Sequence, residues 1–161
     1  DLIDAEEPCL KQMGRVFADH RASVLGVETV DPNDTDKYGI VASELAGERL
    51  SRVTSIVEKP HPDVAPSNLA VVGRYLLTPG IYDKLATTGR GAGGEIQLTD
   101  GIAALLAEET VYAYAFEGRR YDCGSKLGYL EATVEFGLKH EQLGDRFANF
   151  LARLVADRLR R

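Results

Sequence analysis

Cysteine and histidine are scarce in this sequence, and their positions support neither a disulfide framework nor a zinc-type site. The two cysteines, Cys9 and Cys123, are far apart and show no pairing pattern. The three histidines, His20, His61 and His140, share no ligand spacing with one another or with the cysteines. Cysteine usage of this kind is typical of a reducing compartment, so we expect a cytoplasmic protein.

An excess of positive charge is also missing. Asp and Glu number 25 against 19 Lys and Arg, which gives a net charge of −6. Surfaces that bind nucleic acid or anionic membranes are basic, so we expect neither partner. No apolar run approaches the roughly 18 residues that cross a bilayer. With 44% hydrophobic and 27% charged residues, the composition predicts a globular chain with one domain over residues 1–161.

Two common catalytic signatures are absent too. The Gly-rich stretch from Gly89 to Asp100 is not followed by Gly-Lys-Ser/Thr, so it is not a Walker phosphate loop. Taken alone, it predicts a loop that leads into a helix, with Thr99 or Asp100 as N-cap. No nucleophile-elbow motif occurs, and Cys123 has no cationic neighbour in sequence that would activate its thiol.

Strand-like and helix-like segments alternate along the chain. Apolar or alternating runs predict strands at 23–30, 38–45, 50–59, 68–78 and 111–118. Helical spacing predicts helices at 5–19, 80–88, 99–109, 126–140 and 145–161, the last capped by Asp145. This order predicts an α/β fold, and the hairpin before Glu58 makes its sheet mixed rather than strictly parallel. The last helix is amphipathic, and we expect its apolar stripe to pack on the chain's own core; the stripe comprises Phe147, Phe150, Leu151, Leu154 and Val155.

An acid, a base and a proline stand side by side where the strand at 50–59 ends. For Glu58-Lys59-Pro60 alone, a solvated charge pair explains the pattern as well as a function does. In the functional interpretation, the two charged side chains point to opposite sides of the strand. The carboxylate would accept hydroxyl hydrogen bonds, and the ammonium would reach a phosphate. Ligands of α/β sheets bind at the carboxyl ends of strands, which is where Glu58, Lys59 and Asp122 fall.

Two further residues have both a structural and a functional interpretation. Gly39, at the start of a predicted strand, is either a packing or bulge glycine or a point where the backbone approaches a ligand. Asp122, just before Cys123 and Gly124, fits an Asx turn. It also fits a ligand for Mg²⁺, which takes one or two carboxylates and completes its shell with water and phosphate. The residues alone leave both alternatives open.

Three stretches together resemble one enzyme family; they are VEKPHPDVAPSNLAVVGRYLLTPGIYDKL, GAGGEIQLTDGIAALL and YDCGSKLGYLEATVEFGLKH. In them the chain is similar to the bacterial UTP–glucose-1-phosphate uridylyltransferases, a branch of the sugar-1-phosphate nucleotidyltransferases. Glu-Lys-Pro is common to the wider group, whereas the longer motifs favour the uridylyl branch. The resemblance covers nearly the whole chain. It implies part of a mixed-sheet, Rossmann-like nucleotidyltransferase fold with flanking helices and a C-terminal amphipathic helix.

The resemblance also implies roles for single residues around the predicted strand ends. Glu58 would hold glucose hydroxyls. Lys59 would contact the sugar phosphate, both as a binding residue and as the catalytic one. Tyr38 and Gly39 would bring the backbone close to the glucose ring.

Four more residues are assigned in the same way. Val71 would make a main-chain contact with the sugar, with Asn68 near the entrance of its strand. Glu95 would border the same pocket. Asp122 would be the second of two aspartates that ligate Mg²⁺.

Members of this family also carry a strand and a Gly-rich loop with Arg and Lys that binds the UTP phosphates, followed by a base-reading segment. Neither occurs in this sequence. The opening DLIDAEEP has no methionine and resembles the stretch after an Asp-Asp pair. We therefore expect the first metal ligand at or immediately before Asp1, and the resemblance favours Asp1 as the second aspartate of that pair rather than as the ligand itself. Residues 1–161 would then be the sugar-phosphate-binding and C-terminal part of a longer nucleotidyltransferase domain.

The implied reaction transfers the uridylyl group of UTP to glucose 1-phosphate, giving UDP-glucose and pyrophosphate, with Mg²⁺ as cofactor. The resemblance further implies a homo-oligomer. Two rivals remain open. One is a thymidylyl- or guanylyl-transferring relative, because the base-reading residues are not in this sequence. The other is a non-catalytic paralogue that binds a sugar nucleotide and regulates or assembles, although Glu58, Lys59 and Asp122 together favour an enzyme.

Overall fold

The computed structural model describes residues 1–91 and 94–160. They form two compact units. The larger unit is Ala5–Gly118, and the smaller unit joins Asp1–Asp4 to the chain from Arg119 onward. The expectation of a single domain over residues 1–161 stays a prediction.

The bounds of the elements agree closely with the predicted segments. The strands are β1 (Leu2–Asp4), β2 (Ser23–Thr29), β3 (Gly39–Leu45), β4 (Leu50–Glu58), β5 (Leu69–Leu76), β6 (Val111–Ala115) and β7 (Arg119–Tyr121). The α-helices are α1 (Cys9–His20), α2 (Gly80–Thr87), α3 (Leu98–Leu105), α4 (Lys126–Leu138) and α5 (Gly144–Leu159). All five predicted strands and all five predicted helices are confirmed, whereas β1 and β7 were not predicted.

Two predicted helix caps are wrong. The N-cap of α3 is Gln97, so Thr99 and Asp100 lie inside its first turn. The N-cap of α5 is Leu143, with Asp145 in the first turn. Both helices begin earlier than the polar residues suggest. An acid in the first turn still interacts favourably with the positive end of the helix dipole, which makes it a poor marker of the boundary.

Five strands of the larger unit form a mixed sheet whose pairing closes on itself in the order β2-β5-β3-β4-β6. The β2–β6 pair is parallel, and the other pairs are antiparallel. The predicted mixed sheet and the β3–β4 hairpin are therefore confirmed. Closure was not predicted; it arises because the start of β4 pairs with β6, Leu50 facing Tyr114.

The core of the larger unit lies between this sheet and the helices α2 and α3. Strand residues such as Leu25, Val41 and Val71 meet Ile81 of α2 and Ile102 of α3 there. Each side chain of this size contributes about 1.5–3 kcal/mol when it is fully buried. β5 lies between β2 and β3, as its almost continuous apolar sequence predicts.

One buried side chain joins the two ends of the larger unit. Gln12 of α1 is 3% exposed. Its Nε2 donates to the carbonyl of Glu7 at 2.7 Å and to that of Glu117 at 2.9 Å. Its Oε1 accepts the amide hydrogen of Glu117 at 2.8 Å. The buried amide thus has partners on both its nitrogen and its oxygen, which removes the penalty of burying it.

The smaller unit contains the β1–β7 ribbon and the helices α4 and α5. β1 and β7 are antiparallel, with Leu2 opposite Tyr121. The Arg120 side chain is 6% exposed and pairs with Asp1 at 2.9 Å. A buried guanidinium of this kind requires a carboxylate partner.

The apolar stripe of α5 is not fully packed, so the expectation that it lies on the chain's own core is wrong for three of its members. Phe150, Leu154 and Val155 are 49%, 39% and 55% exposed. A stripe in the sequence identifies an apolar face but not what covers it.

Among the described helices, none combines the length and apolar character needed to cross a membrane.

Candidate functional site

The carboxyl end of β4 brings Glu58 against Gly39. Gly39 is paired with Glu58 on one side and with Val71 of β5 on the other. A Cβ atom on Gly39 would lie 3.3 Å from Glu58 Oε2 and 2.9 Å from the methyl carbon Cγ2 of Thr99. Glycine is thus required here for steric room, and it is the chain's own carboxylate that approaches the backbone.

The Glu58 carboxylate is mostly enclosed. Its side chain is 17% exposed, and its ion-pair partner in the described chain is Lys59, with Nζ 3.8 Å from Oε1. Burial, together with the negative charge of Glu58, raises the pKa of Tyr75. A carboxylate in such a partly desolvated position makes stronger hydrogen bonds to a ligand than a solvated one.

Lys59 follows the strand in an unusual backbone conformation. Its φ is +46°, in the left-handed region, and its N–H donates to the carbonyl of Tyr38 at 2.9 Å. Strand alternation predicted that Glu58 and Lys59 would point to opposite sides, which is wrong because the left-handed turn ends the alternation. The ammonium therefore stays beside the carboxylate, and the Lys59 side chain is 59% exposed.

Tyr38 and Val71 lie at the same point through their main chains. Tyr38 immediately precedes β3 and holds the backbone of Lys59. Val71 faces Gly39 and is 5% exposed. The structure therefore brings Tyr38, Gly39, Lys59 and Val71 of the larger unit together with Glu58. Their sequence-predicted contacts with a ligand stay predictions.

Asn68 and Glu95 are not brought into this cluster by any described contact. The Asn68 side chain donates to the carbonyl of Val30 at 3.0 Å and joins the start of β5 to the end of β2. This is a structural bond. The carbonyl of Glu95 accepts from the N–H of Gly91 at 2.9 Å, and its side chain is exposed. Residues 92 and 93 of the Gly-rich motif lie outside the described residues.

Thr99 belongs to this cluster, and the sequence interpretation missed it. It lies in the first turn of α3, is 5% exposed, and places its methyl group over Gly39. Its Oγ1 is buried without a hydrogen-bond partner among the described residues. Nothing in a Thr-Asp pair signals a contact with a glycine sixty positions earlier in the chain.

Asp122 lies in the smaller unit, directly after β7. Its Oδ1 accepts the N–H of Gly124 at 2.9 Å, so the Asx turn proposed as the structural alternative is formed. Its carbonyl accepts from the N–H of Ser125, whose hydroxyl in turn caps α4 by accepting from Gly128. These bonds hold the Asp122 backbone in place. Asp122 follows Tyr121, which is opposite Leu2 in the β1–β7 register.

The donor set at this ribbon end fits a hard cation better than a zinc-type site. In the described ranges no group of three or more His, Cys, Asp and Glu side chains is placed to hold a metal. Mg²⁺ needs only one or two carboxylates, since water and phosphate supply its other ligands. Asp122 offers one such carboxylate, whereas the Asp1 carboxylate is paired with Arg120 at 2.9 Å.

The chain is similar to known proteins in both sequence and fold. Residues 3–137 match the family model described as nucleotidyl transferase. The UTP–glucose-1-phosphate uridylyltransferase 2 of Staphylococcus saprophyticus is 47% identical over 154 residues, which cover 96% of this chain and 53% of that protein.

Two solved structures are similar in fold. A UTP-bound UGPase from Acinetobacter baumannii has a TM-score of 0.83 and 40% identity, over 95% of this chain and 53% of its own. A UDP-glucose pyrophosphorylase complexed with UDP-glucose has a TM-score of 0.83 and 38% identity, over 86% of this chain and 53% of its own. The chain thus spans about half the length of the relatives it matches.

Proposed function

The chain belongs to the nucleotidyl transferase family, and from that premise we propose that the whole protein transfers the uridylyl group of UTP to glucose 1-phosphate. The products are UDP-glucose and pyrophosphate. The observation that carries the proposal is the Glu58 carboxylate held against Gly39 at the end of β4, with the Lys59 ammonium beside it. The names of the similar proteins support the same reaction.

Glu58 and Lys59 divide the recognition of glucose 1-phosphate between them. The carboxylate accepts hydrogen bonds from sugar hydroxyls, and the ammonium pairs with the phosphate as a point charge. The backbone at Tyr38, Gly39 and Val71 lines the ring. Asn68 supports the start of β5, and Glu95 borders the pocket from the loop before α3.

The reaction is an in-line displacement in which a phosphate oxygen of glucose 1-phosphate attacks the α-phosphorus of UTP and pyrophosphate leaves. No covalent enzyme intermediate is required, because the phosphate is itself the nucleophile. Lys59 offsets the repulsion between the attacking phosphate and the triphosphate. Catalysis then consists of positioning and charge neutralisation.

Proteins of this family generally use a divalent metal, and we propose Mg²⁺ held by Asp122 together with a second aspartate. When bound, such an ion neutralises phosphate charge and orients phosphate oxygens. The Asx turn at Asp122 fixes the direction of its carboxylate through Gly124. The N–H and the hydroxyl of Ser125 both donate to the Asp122 carbonyl and keep that turn in register with α4.

The activity is tested with the protein in its full native length. Pyrophosphate release is measured with UTP and glucose 1-phosphate, and UDP-glucose binding is measured by titration calorimetry. We expect release that depends on both substrates. Faster release with dTTP or GTP would favour a relative with another base specificity. UDP-glucose binding without turnover would favour a non-catalytic paralogue.

We further propose a cytoplasmic homo-oligomer. The supply of UTP favours that compartment, and the cysteines Cys9 and Cys123 are free thiols. The exposed apolar residues of α5 support self-association, since a contiguous apolar face is commonly covered in an assembly. Sedimentation velocity of the full-length protein tests this, and a monomer at micromolar concentration would contradict it.

Glu58→Gln should weaken discrimination among sugar phosphates more than it weakens folding. The substitution keeps the shape but replaces a charged acceptor with an amide, and a hydrogen bond to a charged group is worth about 1.5–3 kcal/mol. The ratio of kcat/KM for glucose over galactose 1-phosphate should fall roughly tenfold or more. Glu44→Gln is the matched control, because Glu44 is exposed and pairs with Arg52 on the surface. An unchanged ratio in Glu58→Gln would contradict the role in sugar recognition.

A further inference from the structure

The Thr99 hydroxyl is the one buried side-chain group without a hydrogen-bond partner in the described parts of the chain. Native proteins pair almost all such groups, since an unpaired buried hydroxyl is destabilising. A valine at this position would fill the same volume without that penalty. We therefore expect the hydroxyl to have a hydrogen-bond partner in another state of the protein.

Its place in the fold suggests where that role lies. The Thr99 methyl carbon and Glu58 Oε2 both lie within 3.3 Å of the position that a Cβ of Gly39 would occupy. The methyl group and the carboxylate thus flank the same point beside Gly39. The helix α3 therefore places Thr99 on the side of Gly39 where the carboxylate assigned to the sugar lies.

One rotation puts the hydroxyl in the position that the methyl group now occupies. Staggered χ1 positions differ by about 120°, and threonine in a helix is divided between two of them. A single step in the appropriate direction puts Oγ1 where Cγ2 now lies, over Gly39 and facing Glu58. The same step moves the methyl group to the position of Hβ and Hβ to the former position of the hydroxyl, so the side chain keeps its volume.

The charge balance of the site gives the reason for this rotation of the Thr99 side chain. In this structure the partner of Glu58 is the Lys59 ammonium at 3.8 Å. When Lys59 pairs with the phosphate of a sugar phosphate, the carboxylate loses its cation. A neutral donor beside it then becomes favourable, and Thr99 is a buried donor on the same side of Gly39.

We propose that Thr99 is a positioning residue of this site: when a sugar phosphate binds, its hydroxyl turns over Gly39 and donates to the Glu58 carboxylate. It thereby holds the carboxylate in the orientation that accepts the sugar hydroxyls. This inference rests on the proposed function. Thr99 acts through Glu58 and does not itself touch the reacting atoms.

Thr99→Val and Thr99→Ser in the full-length protein test this, with the exposed Thr87→Val as control. UDP-glucose affinity, the KM for glucose 1-phosphate and the melting temperature are measured for each. We expect Thr99→Val to weaken UDP-glucose binding about tenfold and raise the KM similarly, with an unchanged or higher melting temperature. Thr99→Ser and Thr87→Val should behave as the wild type.

A double-mutant cycle with Glu58→Gln separates positioning from packing. Thr99→Val should have little further effect on affinity in the Glu58→Gln background, because its partner is altered. Three results would each overturn this inference but leave the proposed function standing. They are equal effects of Thr99→Val in both backgrounds, wild-type affinity of Thr99→Val, and a lower melting temperature of that variant. A wild-type protein that binds no UDP-glucose would overturn the proposed function, and the inference with it.

Discussion

Replacing Lys59 with glycine should lower kcat/KM for glucose 1-phosphate by about one to two orders of magnitude while the fold keeps its stability. The lost contact is a charge-assisted one between an ammonium and a phosphate, worth about 1.5–3 kcal/mol. Each 1.36 kcal/mol corresponds to roughly a tenfold change in rate. UTP binding should change much less, because the proposed partner of Lys59 is the sugar phosphate.

Glycine separates the chemistry of this residue from its backbone strain. Lys59 has φ = +46°, which costs a residue with a Cβ roughly 1–2 kcal/mol and costs glycine nothing. The free energy of unfolding of Lys59→Gly, measured in urea, should therefore equal or exceed that of the wild type. A loss of activity cannot then be attributed to unfolding.

Arg21→Gly is the matched control. Arg21 is the other non-glycine residue with a positive φ among the described residues, at +51° after α1. Its replacement should relax the backbone in the same way and leave kcat/KM unchanged. A Lys59→Gly variant with wild-type kcat/KM for glucose 1-phosphate would remove Lys59 from the site.

Asp122→Asn should lower kcat at least tenfold and raise the Mg²⁺ concentration needed for half-maximal rate. The asparagine keeps an oxygen that accepts from the N–H of Gly124, so the Asx turn and the start of α4 stay formed. What it removes is the negative charge that helps offset a divalent ion beside a triphosphate. Rate is measured against Mg²⁺ concentration, with a melting curve alongside.

Asp31→Asn controls for the turn itself. Asp31 accepts from the N–H of Asn33 at 2.8 Å, which is the same Asx geometry in an exposed part of the larger unit. This variant should show the wild-type Mg²⁺ profile and melting temperature. The same profile in Asp122→Asn would show that Asp122 has only the structural role.

Periodicity in the sequence predicted most of the helices and strands, but not which strands pair with one another. β2, β3, β4, β5 and β6 were predicted because each is long enough to show an apolar run or an alternation. β1 and β7 have three residues each, too few to display a period. The start of β4 pairs with β6, and this pairing closes the sheet. It joins distant segments, and no pattern in the sequence of either strand indicates it.

Glu58, Lys59 and Gly39 were singled out in the sequence by motif and resemblance, whereas the geometry between them was not predicted. The strand end at Glu58 and the glycine opposite it were both found in the sequence. The left-handed turn at Lys59 was not, because lysine is not a residue that signals positive φ. Thr99 was interpreted as a cap, since helix boundaries are the least certain feature of a sequence pattern.

The Gln12 side chain, which bonds to both Glu7 and Glu117, has a consequence for the order of folding. Pairing β1 with β7 in an unfolded chain closes a loop of about a hundred residues, at an entropic cost on the order of 4 kcal/mol. Once Ala5–Gly118 has folded, this clamp holds its two ends together, so the ribbon forms with only a local loss of entropy. In pulsed hydrogen exchange during refolding, β2 and β5 should therefore gain protection before β1 and β7, and simultaneous protection would contradict this order. β7, the strand that leads to Asp122, then forms later than the sheet of the larger unit.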